Sequence, residues 1–297
     1  MKELFVGSAV ALVTPMNLDG SINYDQYEQL IEKMISNGVQ ALVVNGTTAE
    51  TPTLTSNELH ELIKHAVKIN QKRVPIIVGT GSNDTKKALE ESLIAKELGA
   101  DACLIVTPYY NKTSQRGLIE HFTFLANNIG LPIILYNIPG RTGININVET
   151  VMELAKHEMI IGMKEASGNM AYAINVINKT KDMDFSLYSG EDNIILPFIA
   201  AGGKGVISVL SNVYPRECQM LCKYILNNEF DKARQLSADL NDVCFGLFLD
   251  VNPICVKAAL NKQGMCEEVL RLPLVKTTDE IKEKLFNAMT IFESKGY

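Results

Sequence analysis

The 297-residue chain has no tryptophan, only four histidines and six cysteines, and no apolar run close to the roughly 20 residues that a membrane-spanning helix needs. The cysteines (Cys103, Cys218, Cys222, Cys244, Cys255 and Cys266) form no CxxC pair, so neither a zinc ribbon nor a dithiol redox motif is written into the chain. They read as reduced, mostly structural thiols. His60, His65, His121 and His157 are all expected on helices, and the one pair on a common helix is five residues apart, which does not stack the rings on one face. A metal site therefore has little support. No long block of like charge occurs, and the net charge of −6 disfavours nucleic acid or an anionic membrane as partner. The first residues, up to Thr14, lack the basic start and cleavage site of a secretory leader, so the expected location is cytoplasmic.

What is present is a soluble-type composition, 46% hydrophobic and 21% charged, enough to bury the core of one large α/β domain with additions. Short Val/Ile/Leu-rich runs at Ala9–Val13, Ala41–Asn45, Pro75–Gly79, Ala102–Thr107, Pro132–Asn137, Ile160–Lys164, Phe185–Ser189 and Gly205–Val209 alternate with amphipathic stretches. The latter include Tyr24–Ser36, Ser56–Asn70, Thr85–Leu98, Gly117–Asn128 and Val148–His157. Eight strand-then-helix units predict an α/β fold, a (β/α)8 barrel. An open doubly wound sheet would be expected to carry a Gly-rich dinucleotide fingerprint after an early strand, and none is found. From residue 228 the pattern is helical only, at Phe230–Leu249, Pro253–Lys262 and Thr278–Lys295. The division expected is a barrel over 1–227 that carries the active site and a helical extension over 228–297, packed on the barrel or against another subunit.

Lys164 closes the apolar run Ile160-Ile161-Gly162-Met163, an unusual place for an ammonium. Desolvation at a strand end can lower a lysine pKa from about 10.4 toward roughly 7–8, leaving neutral amine able to form a Schiff base. The same residue could instead snorkel past its strand or pair with Glu165. In a barrel the C-terminal strand ends share one face, where active sites lie. That face would gather Gly46-Thr47-Thr48, Tyr109-Tyr110, Tyr136, Arg141, Lys164, Gly190 and Ile207-Ser208. The threonine turn offers hydroxyls and N–H groups to a carboxylate, or is a plain N-capping turn. Tyr136 either packs or relays protons beside Lys164. Arg141 either grips a carboxylate or is solvated. Gly190 serves a turn or lets backbone approach a ligand closely.

Three motifs, Gly46-Thr47-Thr48-Ala49-Glu50, Tyr136-Asn137-Ile138-Pro139 with Arg141-Thr142-Gly143, and Gly162-Met163-Lys164-Glu165, together resemble the pyruvate-dependent class I aldolases and lyases related to N-acetylneuraminate lyase. The likeness runs from Gly7-Ser8-Ala9 to Asn252-Pro253-Ile254. It implies that Lys164 forms the imine with pyruvate, that Thr48 and backbone near Thr47 and Ile207 hold the pyruvate carboxylate, and that Thr47, Tyr136 and Tyr110 relay protons. It implies substrate contact at Gly190, no metal or organic cofactor, and a homotetramer built as a dimer of dimers, with Tyr110 reaching the neighbouring subunit's site. The Arg141-Thr142-Gly143 continuation is similar to members that use L-aspartate 4-semialdehyde, whose carboxylate Arg141 would bind. Sugar-acid lyases and aldolases of the same scaffold are the alternative. A silent pyruvate-binding barrel would be expected to have lost Lys164, Tyr136 or Tyr110, and all three are present.

In one respect the chain departs from lysine-inhibited members of this group. Ser56 and Leu59 stand where they place histidines, and Lys87 where they place a glutamate, although Asn83 and Tyr109 remain. Lys87 would set a like charge against an effector ammonium. Titrating L-lysine into a steady-state assay is expected to leave the rate nearly unchanged; substantial inhibition at sub-millimolar lysine would contradict this.

Overall fold

The computed structural model describes residues 3–297. Eight parallel strands, β1 (Gly7–Ala11), β2 (Ala41–Val44), β3 (Ile76–Gly79), β4 (Ala102–Val106), β5 (Ile133–Asn137), β6 (Ile160–Glu165), β7 (Ser186–Ser189) and β8 (Gly205–Ser208), hydrogen-bond in sequence order and close into a barrel. Strand residues alternate between two environments, as the pleat requires. Val10, Leu42, Val78, Cys103, Leu135 and Met163 point outward to the helices, while Ala9, Ala41, Val43, Ile77, Leu104, Ile134 and Tyr136 fill the interior. Helices begin where polar side chains satisfy free N–H groups: Asn23 accepts from the backbone of Gln26, and Thr55 and Glu58 form a reciprocal capping box ahead of Ser56–Asn70.

The seam is made of glycine. Gly7 pairs with Gly205, and a Cβ on Gly205 would lie 1.9 Å from the Gly7 carbonyl oxygen. This pairing also moves β1 two residues earlier than its apolar run suggests. Val13 and Thr14 leave the sheet: the Val13 N–H donates to Asn212 Oδ1 (3.2 Å) and Thr14 Oγ1 donates to the Ala49 carbonyl (2.8 Å). Phe5 and Tyr188 stack with ring centroids 4.2 Å apart, and Tyr188 Oη donates to the Phe5 carbonyl, beneath the strands.

The helical stretches form close to their expected bounds, with one correction among the histidines. The helix Val148–Leu154 ends before His157, which lies in the following turn and accepts from the Met159 N–H through Nδ1 at 3.1 Å. Beyond β8 come the helices Pro215–Leu226, Phe230–Gly246, Ile254–Lys262 and Asp279–Glu293. The last three pack onto the barrel, since Leu240, Val243, Cys255, Leu260, Leu285 and Met289 share one apolar core with Val10, Leu30, Leu42 and Val206. All six cysteines are free and buried. Among the described residues no helix is long and apolar enough to cross a membrane.

Because backbone cannot give way in a closed sheet as a side chain can, Gly205→Ala should destabilise the protein by about 3 kcal/mol or more. Urea unfolding measures this, and a loss within experimental error would show that the seam has slack.

Candidate active site

Strand parity places Tyr136 and Lys164. With Leu135 and Met163 outward, the next residues, Tyr136 and Lys164, turn into the barrel, and they are direct partners in the β5–β6 register. Lys164 is only 6% exposed, and its Nζ lies 4.6 Å from the Tyr136 ring centroid. Among the described residues no carboxylate is within ion-pair distance of this ammonium. Glu165 is instead turned outward, where its carboxylate accepts from Asn137 Nδ2 (2.6 Å) and the Ser167 N–H (2.7 Å). The snorkelling and Glu165-paired alternatives for Lys164 are thereby removed.

Above these residues opens a cavity of ≈ 350 Å³ at the C-terminal strand ends, lined in part by Thr47, Thr48, Tyr136, Arg141, Lys164 and Gly190. The threonines sit on the 3-10 turn Thr47–Ala49 directly after β2. Thr48 Oγ1 accepts from Asn252 Nδ2 at 3.0 Å, leaving its own hydrogen free to donate. Arg141 is on the short helix Pro139–Thr142, exposed at the rim, and its Nη2 donates to the Asn252 carbonyl at 3.1 Å. Gly190 is needed for space: a Cβ there would come within 2.6 Å of Ala166 Cβ and 3.0 Å of Lys164 Cε.

Two expected site residues stand apart. Ile207 is wholly buried in the barrel interior and does not line the cavity, whereas Val209 does. Tyr110, 92% exposed with φ at 66°, points away from its own chain's cavity, while Tyr109 lines it. Asn45 and Glu191, at the strand ends expected to share this mouth, also line the cavity, and so do Phe248 and Asn252, which lie outside the expected site. Asn252 and Phe248 come from the helical extension, so no pattern local to the barrel could have nominated them. A second cavity of ≈ 340 Å³, bounded by Glu3, Ile177, Lys181, Phe185 and Lys204, lies at the opposite, N-terminal strand ends, remote from Lys164.

The threonine turn is anchored from behind. Glu50, in the left-handed conformation at φ 59°, sends its carboxylate into a fully buried ion pair with Lys257 Nζ at 2.5 Å and accepts the Arg271 N–H at 3.0 Å. Lys257 Nζ also donates to the Val269 carbonyl at 2.6 Å. Burial pulls the Lys257 pKa down from its usual value, and the Glu50 charge opposes that pull.

A lysine at the end of the sixth strand of a closed barrel, beside a tyrosine and below a mouth lined by threonine hydroxyls and a guanidinium, defines a class I aldolase-type lyase site. Comparison with known proteins narrows the class: the chain belongs to the dihydrodipicolinate synthetase family, whose model matches residues 4–291. It is 46% identical over 290 residues to a 4-hydroxy-tetrahydrodipicolinate synthase of Exiguobacterium sibiricum, covering 98% of this chain and 99% of that one. The crystal structure of the dihydrodipicolinate synthase of Thermotoga maritima superposes with a TM-score of 0.96 at 38% identity, over 98% of this chain and 99% of that one. That of the Acinetobacter baumannii enzyme complexed with pyruvate does so with a TM-score of 0.95 at 38% identity, over 97% and 99%.

Lys257→Met would strand the Glu50 carboxylate in the interior and should cost about 3–5 kcal/mol in urea unfolding, most of it recovered when Glu50→Gln is added. If the double variant is as unstable as the single, the loss comes from packing and not from an unpaired charge.

Proposed function

We propose that this chain condenses pyruvate with L-aspartate 4-semialdehyde to give 4-hydroxy-tetrahydrodipicolinate, a step of lysine and diaminopimelate biosynthesis. The observation that carries the reading is the Lys164–Tyr136 pair inside a cavity whose rim holds Arg141. Support comes from the extent of the likeness to synthases of that name. Neutral Lys164 attacks the keto carbon of pyruvate, and loss of water gives a protonated imine that serves as the electron sink. Thr48 Oγ1, whose acceptor side is taken up by Asn252, is left to donate to the pyruvate carboxylate. The Ile207 contribution would come from its backbone.

Tyr136, register partner of Lys164, then carries away a methyl proton to give the enamine. The enamine carbon attacks the aldehyde while Arg141 holds the second substrate's carboxylate. The amine of that substrate finally adds to the imine carbon, closes a six-membered ring and displaces Lys164. We read Thr47 and Tyr110 as the remainder of the relay. Tyr110 would act in the site of a neighbouring protomer, within a homotetramer built as a dimer of dimers. Its exposure beside the partly exposed Tyr109 supports this, because a partner surface would cover both rings. A cytoplasmic setting suits six free thiols, and Lys87 argues for weak feedback by lysine.

Borohydride reduction in the presence of pyruvate should add the reduced pyruvyl mass to Lys164, read by peptide mass spectrometry, and Lys164→Ala should lose both adduct and turnover. Pyruvate consumption with aspartate semialdehyde confirms the substrate. An adduct with turnover only on a sugar acid would retain the chemistry and replace the second substrate, and no adduct would remove Lys164 from the reaction.

A further inference from the structure

Glu191 is the one acidic side chain lining the catalytic cavity among the described residues. It follows Gly190 at the end of β7, and its backbone is held on both sides. Its N–H donates to Ser189 Oγ at 3.1 Å, and Ser189 Oγ donates to its carbonyl at 2.8 Å. The next residue, the buried Asp192, accepts from the Val209 and Leu210 N–H groups at 3.0 and 2.8 Å. The loop is thus rigid, yet the Glu191 carboxylate itself has no hydrogen bond or ion pair among the described residues. Its neighbour Asp192 spends its charge on backbone, and Glu165 spends its own on Asn137 and Ser167. Of the three carboxylates near Lys164, only Glu191 is left free and facing the cavity.

A partly buried carboxylate without a partner is costly, and the cost is relieved by a cationic ligand. Burial raises the Glu191 pKa above the usual carboxylate range; the Asp192 charge adds to this, while Lys164 and Arg141 work against it from a distance. Neither cation closes onto it. Lys164 is required as a neutral amine or as an imine, and Arg141 is engaged with the Asn252 carbonyl.

The second substrate proposed above carries one carboxylate and one ammonium, and the cavity offers one guanidinium and one carboxylate. We propose that Glu191 is the specificity-determining residue that receives the α-ammonium of the amino-acid semialdehyde, with Arg141 on its carboxylate. This rests on the aspartate-semialdehyde reading. The pair of opposite charges selects an α-amino acid over a keto acid or polyol of similar length, because an uncharged chain would leave Glu191 desolvated and unmatched. It also orients the nitrogen toward the imine carbon, which the nitrogen attacks after carbon–carbon bond formation once the ammonium has passed a proton to the Glu191 carboxylate.

The test is steady-state kinetics of wild type, Glu191→Gln and Glu191→Asp, together with borohydride capture of pyruvate. Loss of a charge-assisted contact should raise the KM for aspartate semialdehyde about tenfold or more in Glu191→Gln, with partial recovery in Glu191→Asp. Capture of pyruvate on Lys164 should be retained, which also reports that the variant is folded. Succinate semialdehyde, which lacks the amine, should inhibit wild type and Glu191→Gln equally. The inference is overturned if the semialdehyde KM is unchanged in Glu191→Gln, if pyruvate capture falls in step with it, or if the amine-free analogue weakens as much as the substrate. A wild-type protein that captures pyruvate yet does not turn over aspartate semialdehyde would instead overturn the substrate reading, and this inference with it.

Discussion

Closure of the sheet by the β1–β8 ladder is the constraint on which the rest depends. Eight parallel strands held in one ring have a fixed radius and a fixed inside, so the residue that ends each strand is delivered to one mouth whatever its identity. At the seam the Gly7 carbonyl oxygen lies 1.9 Å from where a side chain on residue 205 would begin, and the ring closes because Gly205 has none. The site inherits its geometry from that ring. Lys164 and Tyr136 meet because they are register partners on adjacent strands with the same parity, and this requires no loop to be placed correctly.

The helical extension is the second determinant, and it acts on the same mouth from above. Asn252 spans two cavity-lining residues, donating to Thr48 with its side chain and accepting from Arg141 with its carbonyl. Lys257 and Arg271 hold Glu50, the residue that ends the threonine turn. A buried ion pair is a poor source of net stability but a good source of definite geometry, since each charge tolerates few alternative positions. The threonine turn that follows a barrel strand is thus set by side chains more than 200 residues further along the chain. Division into a catalytic barrel and an appended extension describes the secondary structure better than it describes the site.

Charge within the cavity follows a plain economy. Arg141 and Lys164 are the basic side chains lining it, and Glu191 is the one acidic side chain there among the described residues. Glu165 and Asp192 are equally close in sequence to the catalytic strands but are consumed by neighbouring amides and hydroxyls. Glu191 differs from the other two in being half-buried and in having no donor within reach among the described residues.

Much of this was legible in the chain. Strands without charges, helices with capping residues and the interval between them follow from local periodicity, so the barrel and most element bounds could be read off. Lys164 was conspicuous because an ammonium at the end of an apolar run is costly unless used. Local reading failed where a partner distant in sequence decided the outcome. The start of β1 is set by its pairing with β8, and His157 leaves its helix because the chain turns after Leu154. The roles of Asn252 and Phe248 arise from the fold of an extension that has no pattern in common with the barrel. The free state of Glu191 is likewise invisible in Ser189-Gly190-Glu191-Asp192, which looks like two adjacent acids. By itself the sequence determined the elements and the candidate side chains at their ends, because these depend on residues within a turn or two of each other. The tertiary structure decided which of those side chains share a cavity and which remain unpaired there, because those are properties of distances between segments far apart in the chain.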